Sequence, residues 1–293
     1  AADGTPRLAT AAATISRDTI HIWDPDTGTM VSTLHNYGDG VMSMCAFMTA
    51  FGESRLVTAS TYITVRVWNP DTGTELCTVR GHDYTAWSIC SFITVDGVPR
   101  LAIASNDDGI IRVWDPDTGN GLSAMDSHGN GFSKVCAFTS ADGTPRLAST
   151  STDRTIYIWD PDTGSEVRVL DAHSDWPRAV CTFTAADGTP RLAIASNDEN
   201  IHIWNPDTGT QIHTLRGHGD CPRAVCTFTA ADDTPRLATT SIDGTVRIRD
   251  PELGASLLVI PVRDRALSVA YADGLLFVGT WTGLLAIRLR LED

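Results

Sequence analysis

The chain has 293 residues, of which 42% are hydrophobic and 20% are charged, and its formal net charge is −14. This composition supplies a sizeable core and argues against a disordered chain, while the acidic charge argues against general binding to nucleic acid or anionic membranes. No apolar run is long enough to span a membrane, and residues 1–8 lack the basic and apolar segments of a signal peptide.

One internal repeat organises the chain. Five tryptophans are spaced 45, 46, 45 and 45 residues apart, and Arg249 occupies the next place, again 45 residues on. Each tryptophan is followed by Asp or Asn and then by the string PDTG. The five are Trp23, Trp68, Trp114, Trp159 and Trp204. Because the repeat runs from end to end, residues 1–293 are predicted to form a single domain.

Each unit contains four predicted strands. In the best-preserved unit they lie at 180–184, 191–196, 201–204 and 211–215, and they are rich in β-branched and aromatic residues. The strings ADGTP, SNDEN, NPDTGT and RGHGD surround them and supply the Pro, Gly and Asn that turns need. Four short strands per repeat are typical of a propeller blade.

The number of second strands predicts seven blades. These strands are expected to begin near Arg7, Arg55, Arg100, Arg146, Arg191, Arg236 and Leu275. The first unit starts directly at its second strand, so its inner strand is missing. The last unit has strands at 266–271, 275–280 and 284–290, which leaves too few residues for an outer strand. Both terminal blades are therefore predicted to be incomplete.

The recurring Gly-His, then Asp, then Trp-Asp or Trp-Asn resembles the WD-repeat (WD40) family over nearly the whole chain. The resemblance implies an all-β fold, a seven-bladed β-propeller of four-stranded antiparallel blades, with strands a to d running from the channel outward. Residues 178–193 match residues 223–238 at 15 of 16 positions, and such close copies resemble those of bacterial multidomain signalling proteins. Most propellers of this family close by pairing strands from both chain ends. We therefore expect a further segment, in an upstream domain of the same chain or elsewhere, to supply a missing strand; the first residue, Ala1 rather than Met, also indicates a fragment or a processed chain.

The resemblance also implies a hydrogen-bonded set in each blade: a His before strand a, a Ser or Thr in strand b, an Asp in the turn between strands b and c, and the Trp of strand c. Two such sets are His128, Ser151, Asp153 and Trp159, and His173, Ser196, Asp198 and Trp204. A set that repeats from blade to blade is expected to be structural, not a catalytic triad. The sixth unit keeps His218 and Asp243 but carries Arg249 in place of Trp.

Cysteine and aspartate also recur with the repeat. Five of the seven cysteines stand at one position of successive units, which fits buried free thiols in a reducing compartment and predicts a cytoplasmic location. The two carboxylates of a PDTG loop, such as Asp24 and Asp26, suit either a calcium site or a hairpin with Gly in the left-handed region. The hairpin is the preferred interpretation, and no metal or cofactor is predicted.

In the WD-repeat family, partners bind at residues at the start of strand a and just before the Asp of the turn between strands b and c. The resemblance therefore predicts a partner-binding face at these positions. On this chain they fall at Met42, Trp87, Phe132, Trp176, Arg178, Arg223 and Arg265. Trp, Arg and Met are typical of interface cores, although Phe132 and Met42 could instead cap the blade core. The predicted function is a non-catalytic scaffold or sensor that binds a protein or peptide. The alternatives are a binder of small molecules or glycans at the channel mouth and, less favoured because no unrepeated catalytic cluster is found, a propeller enzyme.

Overall fold

A computed structural model describes residues 5–11, 19–35, 40–60, 64–79, 85–126, 131–170 and 175–289. These residues form 26 strands in seven antiparallel sheets. The all-β class and the seven blades are therefore confirmed. No helix in this part of the chain could cross a membrane.

The chain divides into two compact units, residues 1–137 with 160–165, and residues 138–159 with 166–293. Blades 1 to 3 have the orders β1-β2-β3, β4-β5-β6-β7 and β8-β9-β10-β11. Their strands are β1 (Leu8–Ala11), β2 (Thr19–Trp23), β3 (Met30–His35), β4 (Val41–Met48), β5 (Ser54–Ser60), β6 (Val65–Asn69), β7 (Thr74–Val79), β8 (Ala86–Ile93), β9 (Pro99–Ser105), β10 (Ile110–Trp114) and β11 (Gly121–Asp126).

Blades 4 to 7 follow in the same way, with the orders β12-β13-β14-β15, β16-β17-β18-β19, β20-β21-β22-β23 and β24-β25-β26. Their strands are β12 (Phe132–Thr139), β13 (Pro145–Ser151), β14 (Ile156–Trp159), β15 (Glu166–Leu170), β16 (Pro177–Thr184), β17 (Pro190–Ser196), β18 (Ile201–Asn205), β19 (Thr210–Leu215), β20 (Pro222–Thr229), β21 (Pro235–Ser241), β22 (Thr245–Asp250), β23 (Ala255–Pro261), β24 (Ala266–Ala272), β25 (Leu275–Thr280) and β26 (Leu284–Arg288).

The core lies between consecutive blades. In the first unit, Val65 and Val67 of blade 2 pack with Ile89 and Trp114 of blade 3. In the second unit, Ile201 and Ile203 of blade 5 pack with Leu237 of blade 6. These blades thus present an apolar face to the next blade of the same unit, as the period-two alternation of apolar residues requires.

A bulge recurs at the start of the inner strand. The register shifts between the first and third residues of the strand in blades 2, 3, 5, 6 and 7. The second residue is left unpaired: it is Met42, Trp87, Arg178, Arg223 or Leu267. The bulge therefore changes which face of the sheet the first side chains of the inner strand occupy.

The two terminal blades have three strands each, which confirms the prediction that they are incomplete. Within the described residues, blade 1 has no inner strand and blade 7 has no outer strand. The edge of β1 is consequently less covered: its residues are half-buried, whereas Leu56, Leu101 and Leu147, at the position of Leu8, are buried.

Candidate functional site

Blade 6 shows the His and the Asp of the expected hydrogen-bonded set in contact, although Arg249 stands in place of the Trp. Nδ1 of His218 lies 3.0 Å from Oδ2 of Asp243, and its Nε2 lies 2.9 Å from Oγ1 of Thr239. Burial alone would raise the pKa of Asp243, but hydrogen bonds from Thr245, Gly219 and His218 outweigh burial and lower that pKa to about 2. Burial lowers the pKa of His218, whose side chain has no solvent exposure. The buried imidazole thus joins the segment before β20 to the turn between β21 and β22.

The hydroxyl that receives the indole hydrogen lies two residues earlier than the resemblance implies. Nε1 of Trp159 donates to Oγ of Ser149 at 2.8 Å. Trp68 donates in the same way to Thr58 at 2.9 Å. The hydroxyl of Ser151 accepts instead from the backbone N–H of Asp153 at 3.4 Å.

The other members of the two predicted sets also serve their own turns. Asp153 accepts from the hydroxyl of Tyr157 at 2.8 Å. Asp198 lies 2.9 Å from Nε2 of His202 on the following strand, and the hydroxyl of Ser196 lies 3.5 Å from the backbone nitrogen of Asp198. His128 and His173 lie outside the described residues.

Arg249 replaces the tryptophan of blade 6 and is almost completely buried. Its Nε donates to Oγ1 of Thr239 at 3.3 Å and its Nη1 to the carbonyl of Arg216 at 2.8 Å, while its Nη2 has no partner in the described structure. Burial, together with the nearby Arg247, lowers the pKa of Arg249 to about 10. The guanidinium therefore takes over the bond of the missing indole but leaves its Nη2 unsatisfied.

The PDTG loops use their first carboxylate within the turn. Oδ1 of Asp24 accepts from the backbone N–H groups of Asp26 and Thr27, both at 3.0 Å. These backbone hydrogen bonds, that of Thr27 first, lower the pKa of Asp24. No group of three or more metal-binding side chains is found in the part of the chain that is described, and the geometry supports the hairpin interpretation.

The predicted partner-binding residues of the first unit divide between surface and core. Trp87, the bulged residue of β8, is 37% exposed, and Met42, the bulged residue of β4, is half-buried. Phe132 stands one place earlier, at the first position of β12, and is fully buried. We therefore correct its assignment: Phe132 is a core residue and does not belong to a binding face.

In the second unit, Trp176 and Arg178 lie side by side at the start of β16. Trp176 is 49% exposed. The Nε and Nη2 of Arg178 donate to Oδ1 of Asn197 at 3.3 and 3.2 Å, and the thiol of Cys221 donates to the same oxygen at 3.0 Å. Asn197 thus holds the guanidinium in a fixed orientation.

Blades 6 and 7 continue this row. Arg223 is the bulged residue of β20, in the place of Arg178, and Arg265 precedes β24, in the place of Trp176. The backbone N–H of Trp281 donates to the carbonyl of Arg265 at 3.1 Å, and the Trp281 side chain is 73% exposed. Sequence analysis missed Trp281 because it does not stand at the recurring tryptophan position. The available signal was a tryptophan directly after the second strand, where blades 5 and 6 have Asn197 and Ile242. We call Trp176, Arg178, Arg223, Arg265 and Trp281 the second-unit face.

Comparison with known proteins identifies the repeat. The family model described as WD domain, G-beta repeat matches residues 73–115, 120–160 and 209–250. Each match begins near the outer strand of one blade and ends at the third strand of the next, so the sequence repeat is offset from the blade by one strand. No curated protein matches the chain.

Proposed function

Because the chain belongs to the WD-repeat family of β-propellers, we propose that it is a non-catalytic scaffold or sensor that binds a protein or peptide through the second-unit face. The observation that carries this proposal is the pair of exposed tryptophans, Trp176 and Trp281, beside arginines that no described carboxylate pairs with. Exposed Trp and Arg are the residues that dominate binding energy at protein interfaces. Trp87 of the first unit is proposed as a separate contact.

A protein partner is favoured over a small molecule by the position of the clefts. A cleft of about 270 Å³ in the second unit is lined by residues such as Phe183, Ile203 and Pro251. Another of about 310 Å³ in the first unit lies against Arg7 and Phe47. Trp176 and Trp281 line neither of these two clefts, which fits a partner that contacts them as part of a broad surface. A glycan stacked on Trp176 is the second candidate.

The test compares the intact chain with single variants. Proteins retained by the tagged chain are cross-linked and quantified, and the affinity of each is then measured by calorimetry. Trp176→Ala and Arg178→Ala are each expected to cost about 2 kcal/mol of binding free energy or more. Phe51→Ala is the matched control, because Phe51 is an exposed aromatic residue in the turn between β4 and β5 and is not part of the second-unit face. A partner that binds Trp176→Ala and Arg178→Ala as tightly as it binds the unchanged chain and Phe51→Ala contradicts the proposal. Specific binding on a glycan array favours the second candidate.

The cysteines support a proposal about the cellular location. All seven cysteines are free, and burial raises the pKa of Cys45 to about 12, which makes this thiol unreactive. We propose the cytoplasm as the location. The upstream domain and the bacterial origin stay predictions.

A further inference from the structure

A cleft lies between blades 5 and 6, at the end of β16 opposite to the second-unit face. It has a volume of about 270 Å³ and lies where β16 ends and β17 begins, against the turn between β22 and β23. Its apolar wall is formed by Phe183, Ile203, Ile212 and Pro251. Of these four, Ile212 is exposed and the others are buried. Blades 5 and 6 both have four strands, so the cleft does not depend on the incomplete terminal blades.

The cleft carries one negative charge that no ion pair in the described structure neutralises. Arg191 and Asp187 line it together, and Nη2 of the arginine lies 3.0 Å from Oδ2 of the aspartate. Glu252 also lines it but forms no ion pair with a described residue. Its backbone is fixed, because its carbonyl oxygen lies 2.7 Å from Nε2 of His213 and its N–H donates to Oδ1 of Asp250 at 2.9 Å. The carboxylate therefore stands on a rigid turn beside the apolar wall.

The junction between blades 4 and 5 shows how the repeat normally satisfies this carboxylate. Asp207 holds the place of Glu252 there, in the turn between the third and fourth strands. The hydroxyl of Ser140 donates to its Oδ1 at 2.5 Å, and the backbone N–H of Ala141 donates to its Oδ2 at 2.9 Å. Both carboxylate oxygens thus receive a hydrogen bond from the preceding blade.

The junction between blades 5 and 6 keeps only one of these two hydrogen bonds. The backbone N–H of Ala186 donates to Oε1 of Glu252 at 2.5 Å, as that of Ala141 does to Asp207. Ala185 stands in the place of Ser140 and has no hydroxyl to donate. Oε2 of Glu252 consequently has no donor among the described residues, and the smaller side chain leaves room beside it.

The combination of wall and carboxylate defines the chemistry of a ligand. An ammonium group supplies both the N–H donor and the positive charge that Oε2 of Glu252 lacks, and charge-assisted hydrogen bonds are the strong ones. An apolar body on the same ligand removes the wall from water. A volume of about 270 Å³ is slightly below the range for drug-sized ligands, which begins at about 300 Å³. The net charge of −14 attracts cations to the chain.

We propose that the cleft between blades 5 and 6 binds a small organic cation. A primary ammonium group donates to Oε2 of Glu252, and an aromatic or aliphatic body packs against Phe183, Ile212 and Pro251. A primary ammonium fits better than a quaternary one, because only the former has N–H donors. The site shares no residue with the second-unit face and is independent of the proposed function.

Phenethylammonium is the probe, since it joins a primary ammonium to a small aromatic body. It is titrated into the isotope-labelled full chain and followed by NMR. Saturable shifts are expected for the backbone amides of Ala186 and Asp187. Phenethyl alcohol has the same body without the charge, and ethylammonium has the charge without the ring. Each is expected to bind at least about tenfold more weakly than phenethylammonium.

Two protein variants test the role of the carboxylate. Glu252→Gln keeps an acceptor for the N–H of Ala186 but removes the charge, and it is expected to weaken phenethylammonium binding at least about tenfold. Ala185→Ser supplies the hydroxyl that Ser140 supplies in blade 4, and it is expected to weaken binding by occupying Oε2. Ala230→Ser is the matched control, because Ala230 holds the same place in blade 6 but does not line the cleft. It should retain binding, and circular dichroism should show that all three variants are folded.

Three results overturn the proposal. Shifts that do not saturate show that the cleft holds no cation. Binding that neither Glu252→Gln nor Ala185→Ser weakens places the cation on another acidic surface of the chain. Phenethyl alcohol that binds as tightly as phenethylammonium shows that the carboxylate contributes nothing. None of these results bears on Trp176→Ala, so failure here is distinguishable from failure of the proposed function.

Discussion

At the scale of single residues, Arg249 departs most clearly from the repeat. A buried guanidinium loses its hydration, and two hydrogen bonds satisfy only part of it. The slot is otherwise that of an indole: Thr239 offers the hydroxyl that Thr58 and Ser149 offer to Trp68 and Trp159. Arg249→Trp is therefore expected to raise the free energy of unfolding by about 1–2 kcal/mol, measured by denaturant titration.

A second substitution separates the two causes. Arg249→Met removes the buried charge without supplying an indole N–H for Thr239. Its free energy of unfolding is expected to lie between that of the unchanged chain and that of Arg249→Trp. A loss of stability in Arg249→Trp would mean that the hydrogen bond from Arg249 to the carbonyl of Arg216 stabilises the fold more than a buried indole bonded to Thr239 does.

At the scale of elements, the turns rely on glycines with positive φ. Gly164 ends a PDTG string at φ +72°, and a Cβ placed there would lie 2.9 Å from the carbonyl oxygen of Ala124. Gly188 has φ +78° but no atom within 4 Å of its Cβ position. Ala at either site meets the backbone strain of a positive φ, about 1 kcal/mol, but only Gly164→Ala adds a clash. We expect Gly164→Ala to be the more destabilising by about 1 kcal/mol or more in denaturant titrations. Equal losses would show that the turn shifts to relieve the contact.

Strand positions were predictable because alternation and turn residues agree in every repeat. The strand predicted at 191–196 is β17 at Pro190–Ser196, and the three strands predicted in the last unit are β24, β25 and β26. The facing of side chains at the start of the inner strand was not predictable. There a one-residue offset exchanges the two faces of a strand, and the bulge places Trp87 outside while Phe132, one position earlier in its blade, is inside.

The hydroxyl that accepts the hydrogen bond of the tryptophan could not be predicted either, although for a different reason. Ser149 and Ser151 are two residues apart in β13, so both point to the same face and alternation cannot distinguish them. Only the pairing of Leu147 with Trp159 brings the indole beside Ser149. Sequence patterns thus identified the blade and its interacting types of residue, while register decided which atoms meet.

At the scale of the whole molecule, seven similar blades invite comparison of equivalent strands within one chain. In propellers each blade contacts mainly its neighbours, so local opening depends on local pairing. β18 and β26 are both third strands, but among the residues that the structure describes β18 is paired on both sides and β26 on one. Likewise β17 has two neighbours and β1 has one.

We therefore expect the terminal blades to open first. In native-state hydrogen exchange, the amides of β26 and β1 should exchange through openings of lower free energy than those of β18 and β17, because their outer or inner edge is unpaired. The comparison is matched, since each pair of strands holds the same place in its blade and differs in the number of paired edges. Equal protection of β26 and β18 would contradict the prediction and would mean that a strand from elsewhere already covers the edge of blade 7.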